Sequence, residues 1–130
     1  MKSLYVFWGK VKEGKKRGKS LGFPTANIFL HKKIPEGIYV SWTKAENTFH
    51  QSLTFVGNAK TFNETLYQAE IYFLKYNQSI YGKWLTNYLL QKIRNNQKFS
   101  SVQALKKQME KDRKKGEAFF SGRGKALTVK

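Results

Sequence analysis

The stretch KEGKKRGKSLGFPTANIFL, residues 12–30, decides the fold. If Gly18-Lys19-Ser20 closed a P-loop, a helix would follow and the chain would be built on βαβ units. Two segments approach the pattern G-x-x-x-x-G-K-[ST] and neither meets it. Gly9 and Gly14 are correctly spaced, but Lys16 stands where a hydroxyl is required; Gly18-Lys19-Ser20 ends correctly, but Gly14 lies one residue too close. The continuation, Pro24 and then TANIFL, reads as a strand. What precedes it is an arch of glycines, lysines and an arginine. Its amide N–H groups and cations can wrap a polyphosphate, or it can be a solvated hairpin loop. Within a strand, residues i and i+2 share a face, so Thr25 and Asn27 project together, away from Ala26 and Ile28. They present two neutral oxygens side by side. Mg²⁺ favours oxygen, keeps several waters, and commonly takes one or two protein groups plus substrate phosphates. Polar residues on an exposed edge strand would read the same way.

Outward from this stretch the pattern remains β. Strands are expected at 4–11 (LYVFWGKV), 25–30, 38–42 (IYVSW, with Ile38, Val40 and Trp42 on one side), 50–57 (HQSLTFVG, Leu53 and Phe55 together) and 66–74 (LYQAEIYFL). Residues 83–93, KWLTNYLLQKI, fit a strand and a helical stripe equally. One helix is clear. It starts near Ser100, where Ser100 and Gln103 form a capping-box signature. Val102, Leu105 and Met109 recur on one face, and Gly116 is the expected stop. The tail SGRGKALTVK, 121–130, is expected to be frayed or loosely docked. Short strands followed by a single helix predict a small β-barrel with a helix laid against it, in one domain.

The chain has 130 residues, 40% hydrophobic and 15% aromatic, enough for one core. It has no cysteine, which removes disulfides and thiolate metal sites. No apolar run approaches the roughly 20 residues that span a bilayer. The N-terminus, MKSLYVFWGKV, lacks the features of a signal peptide, so a cytoplasmic location is expected. Against 8 acidic residues stand 25 basic ones, a formal net charge of +17. That predicts an anionic partner, either nucleic acid or a phosphorylated small molecule. The lysines are spread along the chain rather than gathered in one arm.

Among Glu13, Glu36, Glu46, Glu64, Glu70, Glu110, Asp112 and Glu117, only Glu70 sits inside a strongly apolar strand. Gln68 and Tyr72 share its face. Half-buried there, it is a candidate general base, since burial raises a carboxyl toward the working range; on a solvated barrel wall it would simply pair with a lysine. His31 and His50 stand alone and carry no catalytic expectation.

Together these residues resemble the riboflavin kinase family, whose members also form the C-terminal half of bacterial FAD-synthesising enzymes. The resemblance runs from about residue 7 to 120. It rests on GKVKEGKKRGKSLGFPTANI (9–28), with PEGIY (35–39), VGNAKTF (56–62), AEIYFL (69–74), IYGKWL (80–85), KIRNNQKF (92–99) and SVQALKKQMEKD (101–112) in support. It implies a mainly β fold: a six-stranded antiparallel Greek-key-type barrel with a C-terminal α-helix packed against it, in a domain of residues 1–120 with a basic tail at 121–130. It implies transfer of the γ-phosphoryl of ATP to the 5′-hydroxyl of riboflavin, giving FMN and ADP, with Mg²⁺ accompanying ATP. By this likeness Glu70 is the catalytic carboxylate. Thr25 and Asn27 bind the metal, Gly14 and Lys19 meet the phosphates, and Phe73, Lys75 and Tyr81 contact the nucleotide. Arg94, Gln97 and Phe99 contact riboflavin or FMN, Gln97 with a residue type unusual for the family.

Three departures stand out. Lys60 replaces a usual proline, Asn96 stands where an acid often follows the arginine, and these residues carry no adenylyltransferase half, so either a stand-alone kinase or an excised domain is expected, one whose reaction stops at FMN. A monomer without membrane association is expected. Two other readings stay open: a basic β-barrel that binds RNA through stacked aromatics, and a flavin-binding domain without turnover.

Overall fold

Period-two alternation is realised in six strands, and a computed structural model describes residues 2–12, 25–58, 67–75 and 81–121. The strands are β1 (Tyr5–Lys10), β2 (Thr25–Phe29), β3 (Gly37–Ala45), β4 (Thr48–Gly57), β5 (Gln68–Phe73) and β6 (Trp84–Arg94); one helix, α1 (Val102–Phe120), follows. They form a single antiparallel sheet in the order β1-β6-β3-β4-β5-β2. Strands β3, β4 and β5 follow one another and β6 returns beside β3, which is the Greek-key order. The sheet curls until its edges meet: the Lys12 amide donates to the Asn27 carbonyl at 2.9 Å, bridging the end of β1 to β2. The β3–β4 hairpin turns on Glu46 and Asn47, both at positive φ (53° and 64°), as a two-residue loop between right-twisted strands demands.

Alternation divides each strand between two environments. Phe7, Ile28, Tyr39, Val56, Ile71 and Leu89 point into the barrel. So do Ser41, Thr43, Ser52, Thr54 and Asn87, each fully buried. These five satisfy one another: Ser41 with Ser52 and Thr54 (2.6 and 2.8 Å), Thr43 with Ser52 and Asn87 (2.8 and 2.6 Å), and Asn87 Nδ2 with Thr54 (2.8 Å). Paired in this way they fix strand register without leaving orphaned groups. On the outside, Val40, Leu53, Leu90 and Phe120 form a second cluster beneath α1.

Residues 84–94 are a strand. Leu89 faces the barrel interior while Leu90 lies under α1, so both faces are apolar, and that is why their pattern mimics a helical stripe. The helix cap is Ser101 and not Ser100: the Ser101 hydroxyl accepts from the Ala104 amide at 3.0 Å. Val102 is exposed, and the buried stripe of α1 is Met109, Asp112, Gly116 and Phe120. Gly116 does not end the helix. A Cβ there would lie 2.9 Å from Leu53 Cδ2 and 3.3 Å from Leu74 Cδ1, so glycine is what lets α1 settle onto β4. The expected tail lies outside the described residues beyond Ser121.

Candidate functional site

Antiparallel pairing sets Asn27 directly opposite Glu70 and Thr25 directly opposite Tyr72. Because Ala26, Ile28, Ala69 and Ile71 fill the barrel, alternation sends Thr25, Asn27, Gln68, Glu70 and Tyr72 to the outer face. The hydroxyl–carboxamide pair and the carboxylate, more than forty positions apart in sequence, thus converge on one surface. Glu70 is the sole carboxylate in the six strands.

Asn27 and Glu70 on this surface are each held by a neighbour. Asn27 is 3% exposed, and its Oδ1 accepts from Gln68 Nε2 at 3.4 Å. That contact orients the amide and leaves the second lone pair of Oδ1 available. Gln68 Oε1 is buried beside it with no partner. The Tyr72 hydroxyl donates to Glu70 Oε1 at 3.2 Å. Burial first, and then the Glu70 carboxylate, push the Tyr72 phenol well above the usual tyrosine range, so it remains a donor. Phe55 of β4 lies across from Glu70 on the other side.

Arg94, at the end of β6, is clamped by Asp112 of α1. Arg94 Nε donates to both carboxylate oxygens (2.9 and 3.0 Å) and Nη2 to Oδ2 (2.8 Å), while Gln108 Nε2 adds a bond to Oδ1 (3.0 Å). The guanidinium stands 5.6 Å from the Phe99 ring centroid. Asn96 Nδ2 bonds Glu36 Oε1 (2.8 Å) and the Asn58 carbonyl (3.1 Å), tying the stretch after β6 to the turn before β3. The carboxamide at this position therefore has a structural use that an acid could not fill, because it donates.

The sheet register brings together Thr25, Asn27 and Glu70, and the Arg94–Asp112 clamp is near enough to Tyr72 for its hydroxyl to feel both charges. Phe73 lies on the opposite face, in the barrel interior, edge-on to His50 with centroids 6.0 Å apart. Lys75, Tyr81 and Gln97 are exposed. Gly14, Lys19 and Lys60 lie outside the described residues. Sequence reasoning passed over Gln68, Tyr72 and Asp112 as functional residues. The first two flank Glu70 at i±2, so the strand pattern contained their signal; Asp112 reaches Arg94 only through the packing of α1.

The donor set suits Mg²⁺. Thr25 and Asn27 offer neutral oxygens, a carboxylate faces them, and the buried Gln68 Oε1 beside them is an acceptor without a partner.

A family model described as "Flavokinase: Riboflavin kinase" matches residues 1–120. The chain is 37% identical over 124 residues to the "Trifunctional protein RibF/MnmA" of Mycoplasmoides gallisepticum, covering 93% of this chain and 19% of that protein. It is 34% identical over 120 residues to the "Bifunctional riboflavin kinase/FMN adenylyltransferase" of Haemophilus influenzae, covering 90% of this chain and 39% of that protein. It thus spans well under half the length of either relative. The solved riboflavin kinase of Trypanosoma brucei superposes with a TM-score of 0.61 over 92% of this chain and 81% of that one, at 24% identity, a likeness of fold.

Proposed function

The chain belongs to the riboflavin kinase family, and from that premise we propose that it transfers the γ-phosphoryl group of ATP to the 5′-hydroxyl of riboflavin, giving FMN and ADP. The observation that carries this reading is the pairing of Asn27 with Glu70 across β2 and β5.

The chemistry asks mainly for positioning and charge neutralisation. Thr25 Oγ1 and Asn27 Oδ1 would hold Mg²⁺, which when bound with the nucleotide offsets phosphate charge. Glu70 takes the proton from the ribityl 5′-hydroxyl as that oxygen bonds to phosphorus. The bond between Pγ and the β–γ bridging oxygen breaks, its electron pair leaving with ADP. Tyr72 fixes the rotamer of Glu70 by its hydrogen bond. Arg94, locked by Asp112 and set over Phe99, gives the isoalloxazine a rigid cationic and aromatic flank. Glycines and lysines of the 14–22 segment, with Gly14 and Lys19 foremost, cover the phosphates, and Lys75 and Tyr81 meet the nucleotide. Phe73, inside the barrel, supports that wall from behind. All of these groups belong to one chain, so a monomer suffices, acting in the cytoplasm where MgATP is available. No helix among the described residues is long and apolar enough to cross a membrane.

The test is incubation with riboflavin and MgATP followed by separation of flavins. FMN and ADP forming in equal amounts is the expected result. Flavin binding without FMN would leave a binding domain, and neither would end the proposal.

A further inference from the structure

One nucleotide does not account for a net charge of +17, and the outer wall on β1, β6 and β3 carries a second feature that the kinase reading leaves unused. Trp8 and Trp84 are 53% and 65% exposed. Register pairs Trp8 with Thr86 and Lys10 with Trp84, so the two indoles are diagonal neighbours, about 7–8 Å apart by cross-strand geometry. Between and beside them lies an open cleft of about 340 Å³ whose lining includes both indoles, Lys44, Asn47 and Thr86. Trp8 is steadied by His31, ring centroids 4.2 Å apart. The helix covers the neighbouring outer cluster of Val40, Leu53 and Leu90 and leaves these two indoles open to solvent.

The charge around them is predominantly positive. Strands β1, β2, β3, β4 and β6 contain no Asp or Glu. The carboxylate of Glu46, also in the cleft lining, is paired with Lys83 at 2.6 Å. Lys10 is exposed beside Trp84, and Lys44 follows Thr86 across the sheet. Exposed flat rings interleaved with lysines suit a ligand with open π-faces and a polyanionic backbone. A duplex hides its base faces, and protein interfaces are depleted in lysine. We propose that this wall binds single-stranded nucleic acid, with bases stacked on Trp8 and Trp84 and phosphates at Lys10 and Lys44.

The probe is fluorescein-labelled oligouridylate of twelve nucleotides with the full chain, read by anisotropy and by tryptophan quenching. Saturable binding is expected, with log K falling against log[salt] at a slope near −1.4, about 0.7 for each of two phosphates. Trp8→Ala and Trp84→Ala should each weaken binding by about fivefold or more, and Trp→Phe should restore most of it. Lys44→Gln should flatten the slope by about 0.7. Riboflavin phosphorylation should be unchanged in all of these variants, which separates this proposal from the kinase reading. Were the alanine variants to unfold, quenching of the wild-type indoles would still decide the matter. The proposal is overturned by absence of quenching, by affinity indifferent to both indoles, by equal competition from duplex RNA, or by Trp-dependent self-association in sedimentation without oligonucleotide binding.

Discussion

Replacing Asp112 by alanine should cost about 3 kcal/mol of stability, and the structure supplies the arithmetic. Asp112 is 3% exposed and accepts three bonds from Arg94 and one from Gln108. Its removal leaves the Arg94 guanidinium, 15% exposed at the side chain, without its counter-charge. Breaking a buried pair from one side costs roughly 3–5 kcal/mol. Arg94 retains the Asn95 carbonyl at 3.2 Å and the Phe99 ring, which favours the lower end. Against a total of about 5–15 kcal/mol, a loss of that size should lower the thermal midpoint by about 10 °C and shift the urea midpoint by roughly 1–3 M. The assay is a double-mutant cycle by urea unfolding with Asp112→Ala, Arg94→Met and the pair. The double variant should be more stable than the sum of the single losses predicts, because it removes the stranded charge. A loss below about 1 kcal/mol for Asp112→Ala, or strict additivity in the cycle, would refute the claim that this clamp holds α1 and Arg94 in place.

Gln68→Leu, which removes the donor to Asn27, should raise the Mg²⁺ concentration for half-maximal turnover by about 10–100-fold with a smaller effect on kcat. Weaker Mn²⁺ binding in the presence of ADP, by electron paramagnetic resonance, should accompany it; unchanged Mn²⁺ affinity would discharge Gln68 from this role. Burial foremost, with Tyr5 and Tyr67 adding, pushes the Tyr39 phenol up to about 12. Its stabilisation is therefore complete below pH 10, where the unfolded phenol keeps its proton, and is lost between about pH 10 and 12. Urea midpoints across that range should fall with pH, and less steeply in Tyr39→Phe; Tyr72 contributes in the same direction. Gly116→Val should destabilise by about 1–3 kcal/mol, since Leu53 Cδ2 stands 2.9 Å from the new Cβ. A raised thermal midpoint in that variant would show that the Leu53 side chain yields freely.

Much of this architecture was legible because short-range physics wrote it. Period-two alternation located five strands, and the proline before Thr25 told strand from P-loop helix. The same alternation placed Thr25 with Asn27 and Glu70 with Gln68 and Tyr72. What it could not give was register between strands far apart in sequence, and register is what sets Asn27 opposite Glu70. The helix was misjudged at both ends for local reasons. Two adjacent serines compete for the cap, and a glycine that usually stops a helix is here required by the approach of Leu53. Residues 84–94 stayed ambiguous because a strand apolar on both faces loses its alternation. Asp112 was invisible because its ion-pair partner, Arg94, lies on another element.

The measurement that bears most directly on the central claim is single-turnover FMN formation by Glu70→Gln with saturating riboflavin and MgATP, alongside binding of each substrate. The carboxamide keeps the size and an acceptor oxygen for Tyr72 but cannot take the proton. A fall in rate of roughly a hundredfold or more, with both substrates still bound, is predicted. Turnover at the wild-type rate would contradict the assignment of Glu70 as the base and remove the reason for its place opposite Asn27.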